Sequence, residues 1–344
     1  MMLYKSFITG CAGPVLSDEE QSFMATQRPW GLILFARNIE SPEQLRQLTG
    51  DFRRCVARHD APVFIDQEGG RVRRLRAPHW PDYPAMGKLA GLWRSNPDQA
   101  RRAVYLQSRL MGHDLQDLGI TVNCLPVLDV RRREASDIVG DRALGEDPEV
   151  VSVLGMDVLA GCLDAGVIPV MKHVPGHGRA LVDSHLELPR VSVDLETLEA
   201  WDFKPFERLK DCPMAMTAHI VFDAIDPERP VTQSATAISS IIRERLGFKG
   251  CLLSDDISMK ALGGTLSSRV TTIVDAGCDF VLHCNGNLDE MVEVAASVPE
   301  VDELRQTRAE QALQWGRVVS VSDQQRADLR HELVDLIQRA EAVS

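Results

Sequence analysis

A chain of 344 residues has room for one large α/β domain or two ordinary ones. Its composition, 44% hydrophobic and 26% charged, is that of a soluble globular protein and excludes a disordered or fibrous one. A net charge of −12, with no long Lys/Arg block against it, excludes nucleic acid and an anionic membrane surface as partners.

The first residues lack a basic leader followed by an apolar segment, so export is not expected. No apolar run approaches the roughly eighteen residues of a membrane span. Eight cysteines lie between Cys11 and Cys284 without a CxxC pair. Cys124, Cys251 and Cys278 sit in or beside apolar runs, which predicts buried thiols in a reducing cytoplasm.

Short apolar runs alternate with helix-period segments from the start. Strands are predicted at 6–10, 32–35, 62–65, 120–124, 167–171, 214–217, 251–253 and 279–283. The helices between them mark their own ends. Ser41 is a predicted N-cap with Pro42 at the first helical position, and Asn96-Pro97 and Asp147-Pro148 open two more. Ser234 begins a weaker one, and Gly119, Gly166 and Gly247 stand just past helix ends.

Strand–helix units joined by short links predict parallel strands with right-handed crossovers. Eight such units, and no GxGxxG after the first strands, favour a closed barrel over an open doubly wound sheet. Asp66 follows the third strand, Lys172 and His173 the fifth, His219 the sixth, Asp255 and Asp256 the seventh and Asn285 the eighth. Only a barrel gathers those ends on one rim. The predicted fold is therefore α/β, a single (β/α)8 TIM barrel over residues 1–344. Insertions 73–93 and 129–146 should fold over the rim, and a helical tail at 301–315 and 323–342 should pack outside.

The stretch KHVPGHGRALVDSH, Lys172 to His185, is so polar that it is expected to leave the core where a buried strand ends, with Gly176 and Gly178 loosening its backbone. Within it, Asp183 and His185 fall on one side of an extended segment, so Asp183 can hold the His185 imidazole for general acid and base work. A surface loop with a chance ion pair is the bland reading of the same residues. Asp255 ends GCLLSD, where a carboxylate can attack a sugar anomeric carbon. Capping the next helix suits Asp256 better, and Asp256 should point elsewhere.

His173 and His177 raise a metal reading, but Pro175 and Gly176 break the helix that would align them and no cysteine or carboxylate completes a zinc pattern. No metal and no cofactor are expected. Asp66 with Arg74 could clamp neighbouring sugar hydroxyls, and Arg142 could do so from the second insertion. Gly69-Gly70 lacks the GK[ST] of a phosphate loop. Trp80, Tyr83 and Trp93 could form a sugar platform, though aromatics in a Pro-rich loop more often pack it down.

Taken together, DQEGGRV (Asp66 to Val72), GDRALGEDPE (Gly140 to Glu149), KHVPGHG followed by DSH, TAHIVF (Thr217 to Phe222) and SDDISM (Ser254 to Met259) resemble the bacterial β-N-acetylhexosaminidases of glycoside hydrolase family 3. The resemblance implies a retaining mechanism with Asp255 as nucleophile. It implies His185 as acid/base on a mobile loop, with Asp183 as its partner. Substrate contacts fall on Asp66, Arg74, Arg142, Lys172 and His173. Val174 stands where an aromatic is usual, and Lys260-Ala261 where an acidic residue and a glycine are common.

One-domain members of this family trim N-acetylglucosamine from peptidoglycan fragments during wall recycling. The expectation is thus a cytoplasmic, monomeric exo-β-N-acetylglucosaminidase whose partner is a small carbohydrate, a GlcNAc-terminated muropeptide. The alternative is a sugar-binding barrel that has lost catalysis, against which Asp255, Asp183 and His185 all stand. A metal-dependent hydrolase is a more distant alternative.

Overall fold

A computed structural model describes residues 4–132, 134–135, 138–182 and 187–342. In chain order its strands are β1 (Lys5–Thr9), β2 (Pro29–Leu34), β3 (Val63–Ile65), β4 (Val122–Asn123), β5 (Ile168–Val174), β6 (Arg190–Val191), β7 (Met214–Thr217), β8 (Val221–Phe222), β9 (Cys251–Asp256) and β10 (Phe280–His283). Eight of them close a barrel in the order β1-β10-β9-β7-β5-β4-β3-β2, and every pairing is parallel. This is the expected (β/α)8 fold. The short strands β6 and β8 pair with each other outside it.

Side-chain alternation along the strands divides the core in two. Ile8, Trp30, Ile33, Phe64, Val122, Val170, Met214, Leu253 and Phe280 point inward and fill the barrel. Leu32, Leu34, Val63, Ile65, Met171, Leu252 and Val281 point outward and meet the surrounding helices. Each face is apolar because each is covered, which is why these strands read as continuous apolar runs.

The helix ends obey their signals. The Ser41 hydroxyl accepts the Gln44 N–H at 3.2 Å ahead of Pro42–Cys55, and Asn96 Oδ1 accepts the Gln99 N–H at 3.1 Å ahead of Pro97–Gln116. Asp147 caps Pro148–Asp164 in the same way. Ser234 Oγ accepts the Ala237 N–H, and residues Ala237–Arg245 then wind as a π-helix. Gly166 has φ +78°, and a Cβ there would stand 1.9 Å from the Arg317 carbonyl oxygen, so only glycine lets the tail cross at that point.

Two expectations need correction. Strand β5 does not stop at Met171 but runs through Lys172 and His173 to Val174, and Lys172 is only 2% exposed. Its polarity does not expel it, because ionic partners described below meet it in the core. The tail also divides. Asp323–Ala342 packs outside on Pro97–Gln116, burying Leu333, Leu336 and Ala340. Glu303–Leu313 instead crosses the amino-terminal mouth of the barrel, where Ala309 and Ala312 join the inner cluster and Arg308 pairs with Asp279 at 2.8 Å. No described helix is long and apolar enough to cross a membrane. The eight cysteines are free, all buried but Cys55, which is half-buried.

Candidate active site

The carboxyl ends of the strands surround a cavity of about 400 Å³. Asp66 and Glu68 reach it from beyond β3, Lys172 and His173 from β5 and Asp255 from β9. Arg74 comes from the first insertion and Arg71 from just before it, Ile138 and Arg142 from the second, so both insertions fold over the rim as expected. Phe35, Met216, Leu282 and Cys284 supply apolar wall.

One row of charges runs along this wall. Arg74 Nη2 donates to Asp66 Oδ2 at 3.1 Å, and Lys172 Nζ lies 2.7 Å from Asp66 Oδ1 and 2.6 Å from Glu68 Oε1. Arg142 grips Glu68 from the other side with two hydrogen bonds of 2.8 and 2.9 Å. Burial by itself would raise both carboxyls, but Lys172 and Arg74 more than offset it and hold Asp66 well below the usual carboxylate range. Arg142 and Lys172 likewise hold Glu68 at about 2. Burial would lower Lys172, yet Asp66 and Glu68 hold its ammonium above the ordinary lysine value.

The row is therefore ionised throughout, three cations against two carboxylates. Arg74 also lies over the Phe35 ring, 5.0 Å from its centroid. A set of donors fixed in this way can bind sugar hydroxyls without reorganising when they arrive.

A second cluster adjoins it. Asp129, fully buried, accepts the backbone N–H groups of His173 at 3.2 Å and His177 at 2.7 Å on one oxygen, and faces His173 Nδ1 at 2.8 Å with the other. Burial would raise this carboxyl, but His173 and then His177 bring it down to about 2. Burial, helped by His173, lowers His177 to about 4, so its ring is neutral near pH 7. Gly178 does not loosen this stretch as expected: a Cβ there would meet the Val130 carbonyl oxygen at 1.9 Å, so the glycine serves close packing.

On β9, Asp255 lies half-buried at the cavity wall, and its Oδ1 accepts the Asp256 N–H at 2.8 Å. Asp256 also reaches the wall, contrary to the expected alternation, but its carboxylate is tied down by the Ser258 N–H, the Ser258 hydroxyl and the Cys284 N–H at 3.0, 2.6 and 3.2 Å. His219 is buried and off the cavity. Its Nε2 must carry the proton, because at 3.0 Å it meets the Asp256 carbonyl, which can only accept, and Nδ1 meets the Thr232 hydroxyl at 2.8 Å. Burial keeps its pKa below the ordinary value. Both nitrogens are thus committed, and His219 offers the cavity nothing.

Five of the residues singled out in the sequence as contacts, Asp66, Arg74, Arg142, Lys172 and His173, share this cavity with Asp255. Asp183 and His185 lie outside the described residues. Asn285 turns away to Glu290, 2.6 Å from its Nδ2. Trp80 and Tyr83 are buried in the loop, Tyr83 donating to Asp114, so they pack it down. Among the described residues no three His, Cys, Asp or Glu side chains gather to hold a metal ion. Sequence reasoning missed Glu68 and Asp129. Glu68 stands two residues after Asp66 in an extended segment, a same-side spacing that could have flagged it.

Residues 11–321 match the glycosyl hydrolase family 3 N terminal domain. A beta-hexosaminidase of Alkalilimnicola ehrlichii is 40% identical over 311 residues, 89% of this chain and 88% of that one. A beta-hexosaminidase of Idiomarina loihiensis is 34% identical, covering 92% and 94%. NagZ from Neisseria gonorrhoeae, solved in complex with N-trifluoroacetyl-D-glucosamine, superposes with a TM-score of 0.87 at 28% identity, covering 98% of this chain and 99% of that one.

Proposed function

This chain belongs to glycosyl hydrolase family 3 and is a glycoside hydrolase of the β-N-acetylhexosaminidase type, and from there we propose that it is a retaining exo-β-N-acetylglucosaminidase working through a glycosyl–Asp255 ester. The Asp255 carboxylate attacks the anomeric carbon while the bond to the leaving oxygen breaks and His185 delivers a proton to that oxygen. Water then displaces Asp255, giving its proton back to His185, and the sugar leaves as the β-anomer. Asp183 orients the imidazole and stabilises its charged form.

The observation that carries this reading is that Asp255 shares one cavity with the prearranged donors Arg74, Lys172 and Arg142. A carboxylate facing fixed hydroxyl-binding cations suits attack on a sugar held by its non-reducing end. The N-acyl sugar bound by the neisserial relative supports N-acetylglucosamine as that sugar. The roles of His185 and Asp183 rest on the DSH motif. By the same resemblance the natural substrate is a GlcNAc-terminated muropeptide met in the cytoplasm during peptidoglycan recycling, and residues 1–344 act as one monomeric domain.

The test is a chromogenic β-N-acetylglucosaminide assayed beside the matching β-glucoside, with the released sugar followed by NMR. Turnover of the first alone, with the β-anomer appearing first, is expected. Preference for the glucoside would reject the substrate, and first release of the α-anomer would reject retention.

A further inference from the structure

We infer that Asp129 is a positioning residue that fixes which nitrogen of His173 carries the proton, and so makes His173 an acceptor for a hydroxyl of the bound sugar. The sugar contact rests on the function proposed above. The proton placement does not.

Asp129 uses both oxygens. Oδ1 is occupied by two backbone donors, the N–H groups of His173 and His177, and Oδ2 is left for the His173 ring at 2.8 Å. An ionised carboxylate only accepts, so the Nδ1 it faces must be the protonated nitrogen. In the neutral ring the lone pair then falls on Nε2, the remaining polar atom of a side chain that lines the cavity.

The cations of the wall, Arg74, Lys172 and Arg142, can only donate. A sugar hydroxyl is both donor and acceptor, and a wall of donors alone leaves its proton unplaced. Asp66 and Glu68 spend part of their acceptor capacity on those cations. While the ring is neutral, His173 Nε2 is the acceptor that completes the set, and Asp129 is what places the proton on the other nitrogen.

Asp129→Asn separates this role from mere packing. The asparagine Oδ1 must stay on the two backbone N–H groups, which leaves its NH₂ facing His173 Nδ1. That nitrogen must become the acceptor, and the proton moves to Nε2. Shape and buried volume hardly change, yet the cavity now meets the sugar with a donor. The same exchange at the buried aspartate of a Ser-His-Asp triad produces the wrong tautomer with the geometry intact.

The experiment is ¹⁵N NMR of histidine-labelled protein without substrate at about pH 8, with His173→Gln used to assign the ring, followed by kinetics on the chromogenic substrate. Wild type is expected to show Nδ1 protonated and Nε2 bare, and Asp129→Asn the reverse. In Asp129→Asn, kcat/KM should fall about 10–100-fold, carried mainly by KM, as for one mismatched hydrogen bond. An Nε2–H or doubly protonated ring in wild type overturns the proposal, and this spectrum decides even if the variant does not fold. An unchanged tautomer in Asp129→Asn also overturns it. A switched tautomer with an unchanged KM rejects the hydroxyl contact while leaving the proton placement standing. Absence of β-N-acetylglucosaminidase activity in wild type would instead reject the function proposed above.

Discussion

Glu68 holds Arg142 by two parallel hydrogen bonds, 2.8 Å to Nε and 2.9 Å to Nη2, and the same carboxylate takes Lys172 at 2.6 Å. All three side chains are nearly out of water. Glu68→Gln keeps the shape but leaves Arg142 and Lys172 with one fewer counter-charge. Removing one partner of a buried pair costs about 3–5 kcal/mol, so the urea midpoint should fall accordingly, and sugar binding with it. An unfolding free energy within about 1 kcal/mol of wild type would mean that water reaches this row.

Asp255→Asn should remove nearly all turnover while leaving the fold and ground-state binding in place, since only a nucleophile is lost. Asp256→Asn should do far less, because an asparagine oxygen can still accept the Ser258 and Cys284 N–H groups that hold Asp256. Circular dichroism and steady-state kinetics on both variants check the contrast. Equal losses would remove Asp255 from its role.

For His185→Ala, an aryl substrate whose leaving group needs no proton should still glycosylate the enzyme, giving a burst and then slow hydrolysis. A disaccharide should be nearly inert. Asp183→Ala should give a milder form of the same pattern. Equal losses on both substrates without a burst would exclude His185. His173 would be the next to test, since His219 has both nitrogens committed.

Stability should fall in two stages as the medium is acidified. Burial lowers His177 to about 4, and burial with Arg326 and Arg109 lowers His113 to about 4, against an ordinary value of 6.5. The unfolded chain therefore binds protons there that the folded one refuses, and stability drops as pH falls from 6.5 toward 4. Glu68 and Asp129 titrate at about 2 when folded, so what they contribute is whole above their ordinary values of 4.5 and 3.8 and is lost toward pH 2. Urea titrations across this range check it. Asp129→Asn should flatten the lower stage and extend the upper one, because the Asp129 charge partly offsets the lowering of His177.

How much of this was legible depends on where each partner lies in the chain. The strands and caps are local, and Ser41-Pro42 or the run before Lys172 announces them within a few residues. The burial of Lys172 is not local. Its carboxylate Asp66 lies 106 residues away, so a window around Lys172 shows only charge. Asp129 was hidden similarly, since its work is to receive N–H groups from residues 44 and 48 positions later. Glu303–Leu313 reads as a polar helix because its buried contribution to the barrel interior is two alanines, Ala309 and Ala312, with Leu313 only partly buried beside them. Alanine carries almost no hydrophobic signal, yet close approach needs it.

That helix bears on how the chain is made. The interior cluster draws on residues from Tyr4 to Ala312, and β1 gains its second neighbour only when β10 exists. Ribosome-arrested chains ending after Val298 should stay protease-sensitive throughout, and chains exposing Ala312 should resist; early resistance would show a half-barrel standing alone. Until then the emerging polypeptide carries open sheet edges and uncovered aromatics such as Trp30 and Phe64. Exposure to self-association during translation is therefore set by how fast the last stretch is synthesised rather than by the finished protein's stability.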